Sequence, residues 1–187
     1  MEDGQSHKEK MKLAYSIPGS IWWIHNFLDK DTYKGIHHAI IRERKKINLH
    51  SVEKDWGKFL YNNLEPAKRV EVSNYPPFEK LKTLVKHNSY YTFSEIKHMS
   101  TTIHYMTKNS GINWHNDGGW KYGATYYLNN RWHRQWGGEF MFTENNGHGW
   151  IPPVGNSLVI VKAPISHKVN PILSPIIPRI SVQMFMK

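Results

Sequence analysis

The chain contains no cysteine. That excludes a disulfide framework, a thiolate metal site and a cysteine nucleophile, so any metal must be held by His, Asp or Glu. Long hydrophobic runs are missing too. The longest aliphatic stretch, LVIV at 158–161, is far too short to span a bilayer. The opening residues, MEDGQSHKEKMK, lack the apolar segment of a secretory signal. The chain is therefore expected to be soluble and cytoplasmic, with no membrane partner. Acidic residues are scarce toward the end. Residues 101–187 hold only Asp117, Glu139 and Glu144, against eight Lys and Arg. No phosphate-binding loop, nucleophile elbow or zinc-protease helix motif appears, so those chemistries have no support.

What is present bounds the fold. A length of 187 residues fits one domain, 1–187, with a sizeable core. Eight tryptophans and 13% aromatic residues argue for a packed fold rather than disorder. The net charge of +10 suits nucleic acid, acidic protein or small anions, but from charge alone a plain basic soluble protein is the simpler reading.

Residues 1–99 read as an N-terminal strand with supporting helices. Residues 1–18 are polar and expected to be loose at the start, and the β-prone 21–28 reads as a strand. Asp29 or Asp31 can cap a helix running to about residue 46, with Tyr33, Ile36, Ile40 and Ile41 at helical spacing. Arg42, Arg44, Lys45 and Lys46 would sit on its solvent side. Ser51 is expected to cap a second helix carrying Val52, Trp56, Phe59 and Leu60. Pro77 suits the first turn of a third, with Phe78, Leu81, Leu84 and Val85 inward. After residue 88 the texture changes. Short β-rich segments at 101–106, 112–115, 124–129, 139–143, 149–151, 156–162, 167–172 and 179–186 are separated by Gly, Pro and Asn. Such a series predicts a sandwich or jelly roll. No helical pattern separates the strands, which argues against a parallel α/β sheet.

The last strand alternates strictly. Ile180, Val182, Met184 and Met186 form an aliphatic row, and Arg179, Ser181, Gln183 and Phe185 form the other. The polar row could face water, or it could face the mouth of a barrel, where the arginine would need an anion. Upstream, His115-Asn116-Asp117 is a His-x-Asp triplet, and Asp117 is the single aspartate of the last 87 residues. Two residues apart on a strand, imidazole and carboxylate can reach one divalent ion. A third ligand could be His133, His148 or His167. Two His and one carboxylate make the facial triad of non-haem Fe(II) oxygenases. A 2-oxo acid could fill two of the three open positions, and Arg179 offers a fork for its far carboxylate.

Residues 100–187 resemble the 2-oxoglutarate- and Fe(II)-dependent dioxygenases, and within them the prolyl 4-hydroxylase branch. The resemblance is carried, in order, by Tyr105 ten residues before His115, the W-H-N-D run, Tyr126-Tyr127-Leu128-Asn129, Trp132, Gly137-Gly138-Glu139-Phe140, His167-Lys168-Val169-Asn170-Pro171 and Arg179-Ile180-Ser181. It implies a mainly β fold with N-terminal α: a double-stranded β-helix, or jelly roll, with helices packed on one sheet and a catalytic core at 100–187. It implies His115, Asp117 and His167 as iron ligands. Arg179 would bind 2-oxoglutarate with help from Tyr127, and Tyr105 would hydrogen-bond the co-substrate. Thr125, Phe140 and Val169 would wall the pocket. His133 and His148 read as surface residues, while Trp120 and Tyr122 either contact substrate or form cover. The implied cofactors are Fe(II), 2-oxoglutarate and O2, with ascorbate a further candidate. The implied reaction is hydroxylation of a C–H bond, foremost in a prolyl residue of a peptide or protein, with release of succinate and CO2. A nucleic-acid-modifying or other-substrate oxygenase and a non-enzymatic binding jelly roll are the alternatives. Three features depart from the pattern, the first being that the wider tyrosine spacing before the ligand pair lacks a second tyrosine near Ile112. Arginine stands where collagen-type members place lysine, and Pro171, Pro175 and Pro178 lengthen the connection from His167 to Arg179.

Overall fold

The structure is a computed structural model that describes residues 10–43, 48–93, 95–144 and 147–187. The described elements follow in the order β1 (Lys12–Ile17), β2 (Ile21–His25), α1 (Lys30–Glu43), β3 (His50–Ser51), β4 (Lys68–Glu71), α2 (Glu79–Lys86), β5 (Met99–Met106), β6 (Ile112–His115), β7 (Tyr122–Tyr127), β8 (Phe140–Glu144), β9 (Gly147–Ile151), β10 (Leu158–Lys162), β11 (His167–Val169) and β12 (Arg179–Met186). The strands form two antiparallel sheets. One has eight strands in the order β1-β2-β10-β7-β12-β5-β4-β3, the other four in the order β6-β11-β8-β9.

α1 starts where Asp29 accepts the Thr32 amide at 2.9 Å, satisfying one of the free amides of the first turn. Lys80 at the start of α2 donates to the same carboxylate at 2.5 Å, joining the two helices. Ile36 and Ile40 of α1, Phe78 before α2, and Leu81 and Val85 within it are all buried. They pack on the aliphatic row of β12 together with Ile24, Ile103 and Tyr126. Each such side chain contributes about 1.5–3 kcal/mol of burial, so this layer fixes the large sheet from behind. The opposite face of β12 then has to point toward the four-stranded sheet, because successive side chains alternate. A second apolar cluster, including Ile21, Phe140, Phe142 and Val159, closes one side of the space between the sheets. A third, including Val52, Met106, Ile112 and Ile172, closes another.

The first half of the chain departs from expectation in three places. The supposedly loose start contains β1, paired with β2 along its length. The helix expected after Ser51 is replaced by β3 and two 3-10 turns, Val52–Lys54 and Lys58–Leu60. Ser51 does cap, accepting from the Glu53 amide at 3.3 Å, but Gly57 interrupts the helical pattern before it can propagate. β4 was hidden because KRVE offers one apolar residue and no alternation. The expected end of α1, with Arg44, Lys45 and Lys46, and residues 1–9 lie outside the described residues.

Candidate functional site

His115 ends β6, and His167 starts β11 directly across from it in the ladder. A register irregularity follows at once, before Val169 meets Ile112. Irregular pairing of this kind re-aims side chains. Asp117 lies just past β6, against the bare backbone of Gly123 on β7, where an added Cβ would come 2.5 Å from its Oδ2. The outcome is convergence. His115 Nε2 lies 3.7 Å from Asp117 Oδ1, and His167 Nε2 lies 3.7 Å from Asp117 Oδ2. Donor atoms of all three residues fall within 4.8 Å of one another.

The ring nitrogens on the far side set the chemistry. His115 Nδ1 donates to the Asn113 carbonyl at 2.8 Å, and His167 Nδ1 donates to the Ile165 carbonyl at 3.0 Å. A carbonyl oxygen only accepts, so each Nδ1 carries the proton and each Nε2 presents a lone pair to the shared centre. Burial, with His167 alongside, lowers the pKa of His115 below the usual imidazole range. Neutral imidazole and carboxylate are the donor set that a divalent first-row metal takes. The three residues therefore fit an iron ion.

Arg179 lies at the inner end of the polar row and is completely buried. Its Nη2 donates to the Tyr127 hydroxyl at 3.4 Å and its Nη1 to Ser181 Oγ at 3.3 Å, and its guanidinium lies 4.9 Å from the Tyr127 ring centroid. Its Nε has no partner. Among the described residues no carboxylate lies within ion-pair distance of it. Glu139, the acid that could have neutralised it, instead accepts from Asn170 at 3.1 Å. A buried cation without a counter-ion is expensive unless something anionic joins it, so this end of the site fits a carboxylate. Gly137 and Gly138 make the burial feasible. Both have positive φ, and a Cβ on Gly138 would meet Ile172 at 2.6 Å and the Arg179 side chain at 3.1 Å.

Beside the three-residue centre lies a cavity of about 470 Å³, lined among others by His115, Asp117, His167, Thr125, Phe140 and Val169. Thr125 Oγ1 donates to Gln183 at 2.7 Å, and the Phe140 ring lies 5.1 Å from His167. Trp120 also lines this space, whereas Tyr122 is buried in the cluster behind the large sheet. Tyr105 requires correction. It pairs with Ile180 across the ladder and is buried with it on the helix-covered face. Strand alternation gives the inward positions of β5 to Thr102 and His104 instead. Neither of the other candidate ligands joins the centre. His133 accepts the Gln135 amide at a 3-10 turn, and His148 lies beside Trp114 on the exposed small-sheet face. The sequence reading missed one wall entirely. Asp55, Trp56, Phe59 and Arg69 line the cavity, with Asp55 held by His50 at 2.8 Å and by Arg69 at 3.5 Å. No signal could have placed them there without knowing that β4 joins β5.

Residues 100–187 match the family model described as the 2OG-Fe(II) oxygenase superfamily. Solved structures share the fold at low identity. A prolyl-4-hydroxylase from Pseudomonas putida is 13% identical with a TM-score of 0.69, over 90% of this chain and 92% of that one. A prolyl hydroxylase from Trichoplax adhaerens, in complex with a peptide fragment of the hypoxia inducible factor oxygen degradation domain, is 15% identical with a TM-score of 0.70, over 90% and 84%. The non-heme alpha ketoglutarate dependent epimerase SnoN from nogalamycin biosynthesis is 11% identical with a TM-score of 0.68, over 90% and 77%. No curated protein sequence matches the chain. The resemblance to the 2OG-Fe(II) oxygenase superfamily is thus shown, and the epimerase shows that its fold is not bound to one reaction.

Proposed function

We propose that this chain is a 2-oxoglutarate- and Fe(II)-dependent dioxygenase on a double-stranded β-helix, and that it hydroxylates a prolyl residue in a peptide or protein. The single observation that carries the reading is the convergence of His115, Asp117 and His167 beside a buried arginine that has no acidic partner. The prolyl substrate draws support from the two hydroxylases of like fold, one of which holds a peptide.

When bound, Fe(II) with 2-oxoglutarate and O2 supplies oxidative decarboxylation: one oxygen atom enters succinate as CO2 leaves, and the other enters the substrate C–H bond as hydroxyl. The chain's residues provide the setting. His115, Asp117 and His167 would hold the iron through two neutral nitrogens and one carboxylate, leaving the cavity side open. Arg179 would pair with the far carboxylate of the co-substrate, and the Tyr127 hydroxyl would share that contact. Burial raises the pKa of Tyr127, so the phenol stays protonated and available as a donor. Phe140 and Val169 exclude water from the deep part of the site, which strengthens each of these charged contacts. The substrate would enter past Trp56, Phe59 and Trp120.

The test is aerobic incubation with Fe(II), 2-oxoglutarate, ascorbate and a peptide library, reading succinate and mass gains of one oxygen. Succinate together with oxygenated proline peptides is expected. Oxygen gained by another substrate class, nucleic acid included, with proline peptides untouched, overturns the prolyl assignment. No succinate under any condition overturns the oxygenase reading.

A further inference from the structure

β5 turns His104, one position before Tyr105, toward the interior. The residue is 2% exposed and lines the cavity, and the Trp56 ring meets it edge-on with centroids 5.3 Å apart. Its Nδ1 is buried and makes no hydrogen bond among the described residues. A buried polar atom without a partner costs about 1–3 kcal/mol, so the position calls for an explanation.

Its neighbours supply one. Arg69 stands across from His104 on β4, and Ser181 stands across from it on β12. Ser181 in turn accepts from Arg179. The ring therefore lies in a row between two guanidinium groups. Burial and the fields of Arg69 and Arg179 push its pKa down to about 3, so it is neutral in ordinary buffers. A neutral imidazole still has one N–H to donate. The group that would satisfy this donor and also balance the neighbouring cations is a carboxylate. Of the acids lining the cavity, Asp55 is engaged by His50 and Arg69, and Asp117 faces the two imidazoles in the ligand set.

We propose that His104 is the hydrogen-bond donor that β5 contributes to 2-oxoglutarate, set beside Arg179 to hold its far carboxylate. The assignment rests on the co-substrate reading above and adds a contact that the resemblance placed at Tyr105.

The test is calorimetric titration of 2-oxoglutarate into the full chain loaded with Mn(II), which binds without turnover, for wild type, His104→Phe, His104→Gln and Arg179→Met. His104→Phe is expected to weaken 2-oxoglutarate binding about tenfold or more, leave Mn(II) affinity unchanged, and be largely rescued by His104→Gln, which restores a donor. A second readout needs no variant to bind: in ¹⁵N-histidine spectra of the Zn(II)-loaded wild type, 2-oxoglutarate is expected to move the His104 ring signals. Binding by His104→Phe within twofold of wild type overturns the proposal, as does an equal loss of Mn(II) affinity. If His104→Phe does not fold, an unmoved His104 signal overturns it instead. If Arg179→Met weakens binding and His104→Phe does not, only the His104 assignment falls. If wild type shows no saturable binding, the co-substrate reading falls and takes this one with it.

Discussion

Replacing Arg179 with methionine should stabilise the ligand-free protein and disable the site at once. The guanidinium is fully buried, with three long contacts, to the Ser181 and Tyr127 hydroxyls at 3.3 and 3.4 Å and to Met106 Sδ at 3.5 Å, and one aromatic face as its compensation. Removing a charge from such a place recovers several kcal/mol of desolvation. Against this, the lost cation–π contact costs about 2 kcal/mol, and a Tyr127 hydroxyl left without a partner costs about 1 kcal/mol. The balance is a gain of about 1 kcal/mol in urea unfolding of the metal-free chain. With Mn(II) and 2-oxoglutarate at one hundred times its wild-type Kd, the order inverts. Wild type gains about 2.7 kcal/mol by mass action. Arg179→Met, binding about 100-fold more weakly once a charge-assisted pair is gone, gains about 0.4 kcal/mol. The reasoning is refuted if the variant is less stable than wild type without ligand by more than about 1 kcal/mol, or if both respond equally to 2-oxoglutarate.

Three further outcomes are expected. Asp117→Ala removes the carboxylate both imidazoles face, so calorimetry should show Mn(II) affinity falling at least about 100-fold, with far-ultraviolet circular dichroism unchanged; wild-type metal affinity would contradict the proposed ligand set. Gly123→Ala puts a methyl group against Asp117 Oδ2, and metal affinity should fall about tenfold or more while the melting temperature shifts little; an unaffected Mn(II) titration would show that Asp117 is free to move aside. Asp29→Ala deletes the α1 cap and should cost about 1 kcal/mol. Lys80, and then Thr32, hold the Asp29 carboxyl well below the usual range. Its contribution is therefore fully present above the unfolded-state value near 4 and fades as pH falls toward the folded-state value, so wild type and variant should converge in acid. A gap in unfolding free energy that stays constant from pH 7 to pH 2 would exclude this role for the carboxylate.

The second half of the chain was readable because its strands alternate. β12 and β6 were expected with the bounds they have, and the second row of β12 does turn inward, Gln183 and Phe185 lining the cavity. Site residues spaced along one strand inherit that clarity. Tyr105 shows where it fails. Resemblance supplies a residue type at an approximate spacing, but a shift of one position exchanges the two faces of a sheet. Residues 48–71 were illegible for another reason. Val52, Trp56 and Leu60 have helical spacing, yet Val52 and Leu60 fall in two separate 3-10 turns and Trp56 between them, with Trp56 and Leu60 lining the cavity. Gly57 is the one local sign against a helix, and the rest of the choice is made by β4 pairing with β5, a contact between distant parts of the chain.

The site draws on both layers of the molecule. The two imidazoles belong to the four-stranded sheet, while Arg179, Tyr127 and His104 belong to the eight-stranded one. An ion alone would clasp residues of one layer and of the adjoining turn, leaving the deep end free to breathe. A co-substrate held at both ends would behave as a rivet through the pair, so amide protons of β11 and β12 should slow their exchange together once it is added, though no backbone hydrogen bond joins those strands.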